Sequence, residues 1–81
     1  MDRVEPVRTF VIQNFLFGRA DALTNEESFL ESGIIDSTGI LELVSFLEKT
    51  YGIRINDEEL IPENLDSINS ISEYLRSKLA P

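Results

Sequence analysis

Hydrophobic residues recur at helical spacing in three separate stretches of the chain. Over residues 4–17 the apolar positions lie three and four apart, which predicts an amphipathic helix. Pro6 is tolerated in the first turn of such a helix, and Gly18 is suited to end it. The strongest pattern predicts a second helix over residues 37–51. Its apolar stripe consists of Ile40, Leu43, Val44, Leu47 and Tyr51.

A third apolar stripe predicts a helix near the C-terminal end of the chain. Either Asp66 or Ser67 can supply its N-terminal cap. Before it, Asn56 can cap a short acidic turn over residues 57–60, which Pro62 would end. The members of the third stripe are Ile68, Ile71, Leu75 and Leu79.

These patterns predict an all-α fold. We expect a small four-helix bundle, with three main helices, one short helix and a long loop between the first two main helices. The bundle is expected to be a single domain over residues 1–81. The side chains expected in its core are Val44, Leu47, Tyr51, Ile55, Leu60, Ile68, Ile71 and Leu75.

The loop between the first two main helices has no helical period, yet it contains hydrophobic residues at intervals. It covers residues 19–36, and loops as long as this are usually functional or disordered. The regular apolar residues favour a loop that is pinned onto the core. These residues are Leu23, Phe29, Leu30, Ile34 and Ile35.

The charge of the chain restricts its partners. The net charge is −8, and 13 of the 15 acidic residues lie between Asp21 and Glu73, against two basic residues there, Lys49 and Arg54. Such a surface repels nucleic acid and anionic lipid and attracts basic proteins. No signal peptide or membrane-spanning stretch is visible, so we expect a cytoplasmic protein.

Cysteine and histidine are both absent. Their absence excludes disulfides, thiol nucleophiles, Ser-His-Asp triads, zinc sites built on these residues and a histidine general base. At 81 residues, the interior is also too thin for a conventional enzyme pocket. We therefore expect a protein that is not an enzyme. The acidic run 57–59 lacks the ligand spacing of an EF-hand, so no metal site is predicted.

Asp36 and Ser37 stand where the pinned loop meets the second predicted helix. The N-terminus of a helix presents unpaired N–H groups, which stabilise a phosphate attached there. An outward-facing Ser37 hydroxyl would suit a phosphodiester, whereas no base in the chain could activate it as a catalytic nucleophile. The alternative is that the two residues simply cap the helix.

A longer pattern surrounds this pair. Phe29 is followed by Gly33-Ile34-Ile35-Asp36-Ser37, then by Leu41-Glu42-Leu43-Val44 and Tyr51-Gly52-Ile53. Over about residues 4–79 the sequence resembles the acyl carrier protein family, including its peptidyl and aminoacyl carriers.

The resemblance implies a four-helix bundle and a covalent cofactor. In the family, a phosphopantetheinyl transferase moves 4′-phosphopantetheine from coenzyme A onto the serine of the Asp-Ser pair, here Ser37. The terminal thiol of that arm then carries an acyl or aminoacyl group as a thioester. The lack of cysteine agrees with this, because the reactive sulfur is imported. Partner enzymes supply the catalysis.

The resemblance also indicates residues that partner enzymes recognise: Asp36, Thr38, Leu41, Glu42 and Glu48. Each has a simpler interpretation, since Asp36 can be a helix cap, Leu41 a partly buried flank, and the glutamates a solvated face. Two positions depart from fatty-acid carriers. Thr38 replaces a bulky apolar residue, and Gly39 replaces a residue that is often acidic. Together they predict a smaller, less charged front to the helix and favour a specialised, ligase-loaded pathway.

The leading hypothesis is a freestanding, monomeric carrier that is loaded by an acyl- or aminoacyl-specific ligase or synthase. Within that class, a D-alanyl or other aminoacyl carrier is the alternative to a fatty-acyl or polyketide carrier. A different class, an unmodified acidic interaction module, would carry no arm at all. Replacing Ser37 by Ala would then remove only a helix cap, which would lower the free energy of unfolding by about 1 kcal/mol.

Overall fold

The computed structural model describes residues 4–19 and 23–79. Within these residues it contains five α-helices and no strand, which confirms the all-α class. The helices are α1 (Glu5–Phe15), α2 (Phe29–Ser32), α3 (Gly39–Tyr51), α4 (Pro62–Leu65) and α5 (Ile68–Leu79). The two ends of the predicted domain, residues 1–3 and 80–81, lie outside the described residues, as do residues 20–22 of the loop.

The three main predicted helices are present as α1, α3 and α5. The predicted short helix is a single 3₁₀ turn at Asp57–Glu59. Two further one-turn helices, α2 and α4, were not predicted, because four residues are too few to produce a hydrophobic period. Pro62 does more than end the acidic turn, since it is the first residue of α4, where its fixed φ suits a helix.

The core lies between the three long helices. Valines of α1, leucines of α3 and the apolar stripe of α5 meet there, and several are completely buried: Val7, Val11, Leu43, Leu47, Ile71 and Leu75. Of the predicted core residues, Leu47, Ile55, Ile68, Ile71 and Leu75 are buried, while Val44, Tyr51 and Leu60 are partly buried against the same cluster. Tyr74 is also buried, which the spacing of the last stripe did not indicate.

The loop before α3 is pinned to the core, as predicted. Leu23, Phe29 and Ile35 are buried, and Ile34 is half-buried. Leu30 is the exception, because 44% of its surface is exposed. It directly follows the buried Phe29 in the one-turn helix α2, so its side chain is turned about 100° away from that of Phe29.

Ser67 and Asp66, the two candidate caps of α5, have different roles in the structure. The Ser70 N–H donates to Ser67 Oγ at 3.0 Å, so Ser67 caps α5. Asp66, the alternative cap in the sequence analysis, instead accepts a hydrogen bond from the Leu30 N–H at 3.0 Å. Asp66 thus joins the α4–α5 junction to α2.

Helices α1 and α3 approach each other closely at Gly39. A Cβ atom at this position would lie 2.8 Å from Cε1 of Phe15 and 3.0 Å from Cγ2 of Ile35. Gly39 is buried at this contact. The absence of a side chain here lets the end of α1 pack against the start of α3.

An ion pair holds the 3₁₀ turn against α5. Lys78 Nζ lies 2.8 Å from Oε1 and 3.1 Å from Oε2 of Glu59. The hydrogen bond from Lys78 holds the pKa of the Glu59 carboxyl below its usual value, and the same bond raises the pKa of Lys78. None of the helices in the described ranges is long and apolar enough to cross a membrane.

Candidate functional site

Asp36 is the residue that caps α3. Its Oδ1 accepts from the Gly39 N–H at 2.7 Å, and its carbonyl oxygen accepts from the Ile40 N–H at 3.0 Å. This is the bonding of an N-cap, whose side chain binds the N–H three residues later. The choice between Asp36 and Ser37 as cap is therefore decided for Asp36. Ser37 and Thr38 form the turn that leads into the helix.

The Ser37 side chain is exposed at this positive end of α3. Within residues 4–19 and 23–79 its hydroxyl makes no hydrogen bond, and neither do the N–H groups of Ser37 and Thr38. Free N–H groups at a helix N-terminus are suited to phosphate oxygens. The residues present therefore fit a phosphate ester on Ser37 Oγ.

An apolar cavity of about 260 Å³ opens beside Ser37. One side of it is formed by Leu30 of α2 and Ile40 of α3, and the other by the chain from Leu60 into α4. Asp66 lies at its edge, where both carboxylate oxygens accept hydrogen bonds, one from Ser28 Oγ and one from the Leu30 N–H. The residues around the cavity are Leu30, Ser37, Ile40, Leu60, Ile61, Pro62, Leu65 and Asp66.

A second, more polar groove of about 350 Å³ runs along the other side of the Ser37–Thr38 turn. It lies between the end of α1 and the start of α3, and both Asp36 and Glu42 line it. Both are exposed, and among the described residues neither has a basic partner within ion-pair distance. The site therefore has an apolar side and an acidic side.

The predicted partner-recognition residues do not all lie together. Thr38, Leu41 and Glu42 are exposed on one face of α3 near Ser37. Leu41 is 61% exposed, so it is not a partly buried flank. Glu48 lies about 16 Å from Ser37 along the helix axis. It is half-buried, and its Oε2 accepts from the Ile55 N–H at 2.8 Å.

Sequence reasoning missed the residues that shape the cavity. Leu30 was expected only to pin the loop onto the core, and Leu65 and Asp66 were not linked to Ser37. Their arrangement depends on α2 and α4, two single turns without a sequence period. In the described part of the chain, no group of three or more acidic side chains is arranged to hold a metal ion. In the run 57–59, Glu59 is already bound to Lys78.

Comparisons with known proteins match most of the chain. A family model described as a phosphopantetheine attachment site matches residues 16–75. The chain is 30% identical over 78 residues to an acyl carrier protein of Buchnera aphidicola from Schizaphis graminum, covering 96% of both chains. It is 31% identical over 77 residues to an acyl carrier protein of Helicobacter hepaticus, covering 95% of this chain and 97% of that one. It is also 31% identical over 61 residues to the probable acyl carrier protein PigG of a Serratia species, covering 75% and 70%.

Proposed function

This chain belongs to the acyl carrier protein family of phosphopantetheine-bearing carriers, and on that premise we propose that Ser37 is the serine to which 4′-phosphopantetheine is attached. Members of this family are carriers rather than enzymes. The observation that carries the assignment is the exposed Ser37 hydroxyl at the capped start of α3, which makes no hydrogen bond to any residue in the described part of the chain. When attached, the group supplies a terminal thiol that holds cargo as a thioester.

The attachment is a phosphoryl-group transfer in which Ser37 Oγ attacks the phosphorus next to the pantetheine of coenzyme A. The Oγ–P bond forms as the bond to the bridging oxygen breaks, and adenosine 3′,5′-bisphosphate leaves. The serine proton passes to a base on the transferase, because this chain has no histidine or cysteine and, among the residues that the structure describes, no group accepts a hydrogen bond from the hydroxyl. Asp36 holds the start of α3, and the N–H groups of Ser37 and Thr38 stabilise the resulting phosphodiester.

The cargo that we propose is an apolar acyl group rather than an aminoacyl group. The cavity beside Ser37 is lined mainly by hydrocarbon from Leu30, Ile40, Ile61 and Leu65. Each oxygen of the Asp66 carboxylate, which also lines the cavity, already accepts a hydrogen bond, one from Ser28 Oγ and one from the Leu30 N–H. Placing an unpaired ammonium in such a cavity would be unfavourable.

The partners that we propose are a phosphopantetheinyl transferase and an acyl-loading ligase or synthase, in the cytoplasm. They would dock on the exposed face of α3 formed by Thr38, Leu41 and Glu42, together with Asp36. An apolar side chain flanked by acids without basic partners suits a docking surface of apolar and basic residues. Glu48 would contribute from the far end of α3, although its carboxylate also binds the Ile55 N–H.

Incubation of the purified apo-protein with coenzyme A, magnesium and a broad-specificity transferase tests the assignment of Ser37. Intact mass should rise by one phosphopantetheine, and peptide mapping should place it on Ser37. Ser37→Ala should gain nothing, while Ser45→Ala, which changes another exposed serine of α3, should be modified as fast as the wild type. Modification of the Ser37→Ala protein, or none of the wild type, would refute the assignment.

The cargo class can be tested on the modified protein. An octanoyl thioester should change the NMR signals of the Leu30, Ile61 and Leu65 methyl groups, whereas a D-alanyl thioester should leave them as in the unloaded form. The unloaded and octanoyl forms of Glu63→Ala, which alters an exposed residue of α4 outside the cavity, provide a matched comparison. Equal changes with both cargoes, or changes only with D-alanyl, would contradict the acyl assignment.

A further inference from the structure

Asp66 connects two parts of the chain that are far apart in sequence. Its carbonyl oxygen accepts from the Phe29 N–H at 2.7 Å. Its Oδ1 accepts from the Leu30 N–H at 3.0 Å, and its Oδ2 accepts from Ser28 Oγ. One residue at the α4–α5 junction therefore binds three successive residues at the start of α2.

From α2 the connection continues to Ser37. The Phe29 carbonyl accepts from the Ile35 N–H at 3.2 Å, and the side chains of both residues are buried, with 0% and 1% exposure. Ile35 stands directly before the Asp36 cap and Ser37. The path from Asp66 to the serine thus consists of one turn of helix, one backbone hydrogen bond and two core side chains.

We propose that Asp66 is a positioning residue for the modification of Ser37, a role that rests on the proposed function. Asp66 fixes α2, and α2 fixes Ile35, so the Asp36–Ser37 turn is held in the geometry that a transferase binds. A single helical turn such as α2 is not stable by itself in water. Without the Asp66 carboxylate, the hydroxyl of Ser28 and the N–H of Leu30 lose their acceptor. What then holds α2 is the backbone bond from Phe29 to the carbonyl of residue 66, the Ser28 cap and the buried Phe29 ring.

The expected effect is on binding of the apo-protein by the transferase rather than on the chemical step. When only a fraction of the molecules presents the binding-competent loop, the apparent affinity falls by that fraction. Once bound, the loop is held by the transferase, and the transfer proceeds at the normal rate. We therefore expect Asp66→Ala to raise KM for the apo-protein about tenfold and to leave kcat nearly unchanged.

Three further variants separate positioning from loss of charge and from loss of stability. Asp66→Asn keeps an oxygen acceptor for the Leu30 N–H but not a second one for Ser28 Oγ, so its KM should lie between those of the wild type and Asp66→Ala. Glu63→Ala makes the same charge change at an exposed site of α4. Ser67→Ala removes the cap of α5 from the neighbouring residue without touching α2. Neither control should raise KM by more than about twofold, the usual small effect of a site outside the network.

The steady-state kinetics of all four variants are measured with coenzyme A in excess, and hydrogen exchange is followed at the Leu30 and Ile35 amides. Faster exchange at both amides in Asp66→Ala, but not in Ser67→Ala, supports the connection. A wild-type KM for Asp66→Ala, or an equal rise for Ser67→Ala at matched stability, overturns it. If Asp66→Ala does not fold, Asp66→Asn decides, with an intermediate KM expected and an unchanged KM contradicting the role. Failure of the wild-type protein to be modified would instead overturn the proposed function and this role together.

Discussion

Replacing Gly39 by Ala tests the packing that sets the start of α3. In a helix this substitution normally stabilises by about 0.5–1 kcal/mol, because alanine loses less backbone freedom on folding. Here the added Cβ would lie 2.8 Å from a ring carbon of Phe15 and 3.0 Å from Cγ2 of Ile35. Ile35 is buried, so it has little room to move.

The clash outweighs the gain in helix propensity. Overpacking a well-filled site costs about 1–3 kcal/mol, so the net change is a loss of about 1–2 kcal/mol in the free energy of unfolding. The same Cβ would lie 3.3 Å from Asp36 Oδ1, which accepts from the Gly39 N–H. The strain therefore reaches the cap that presents Ser37.

Urea unfolding followed by circular dichroism at 222 nm measures the change in stability. Ser45→Ala, on the exposed face of α3, reports helix propensity alone and should be neutral or slightly stabilising. Combining Gly39→Ala with Phe15→Leu should recover part of the loss, because the ring atom that the Cβ meets is removed. A Gly39→Ala protein that is more stable than the wild type would refute the packing argument.

Three other outcomes are expected. Phe17 is 90% exposed and has a φ of 54°, a backbone conformation that glycine adopts more easily than phenylalanine. Phe17→Gly should therefore raise the free energy of unfolding by about 0.5–1 kcal/mol in thermal melts, and a lower free energy of unfolding would show that the ring makes a stabilising contact. Because the folded-state pKa of Glu59 is lowered, its contribution to stability is present above the usual glutamate pKa and disappears as the pH falls through the folded pKa. Lys78→Met should flatten this part of the pH–stability curve, and an unchanged curve would exclude the ion pair as its cause. Association with the transferase should slow with added salt, and Glu42→Gln should weaken this salt dependence, whereas Leu41→Ala should slow association equally at all salt concentrations. A Glu42→Gln protein with wild-type salt dependence would place the docking charge elsewhere.

The long helices could be predicted from the sequence because their signal is repeated. Each of α1, α3 and α5 spans about three turns, so a stripe of apolar residues recurs several times, and most of the predicted core residues are buried. The position of Ser37 at the start of α3 followed from the same pattern, because the helix predicted from the strongest stripe begins at that residue.

The parts that could not be predicted depend on contacts between distant residues. Asp66 has the local signature of a helix cap, yet its carboxylate binds α2, and only the folded chain brings α2 within reach. From the sequence Gly39 was only a departure from fatty-acid carriers at the front of the helix, whereas the approach of Phe15 from α1 makes it a packing position. Neither the direction of a side chain nor the approach of a distant helix is encoded in local spacing.

The bonds between Asp66 and α2 have a consequence for the order of events during translation. The residue that secures the loop ahead of Ser37 is synthesised after that serine, and it is followed at once by α5, which supplies much of the core. A nascent chain on the ribosome therefore exposes the serine well before the loop acquires its final shape. Attachment of the arm to Ser37, the site that we propose, should accordingly follow the folding of the chain through α5, and it would mark molecules that have already folded.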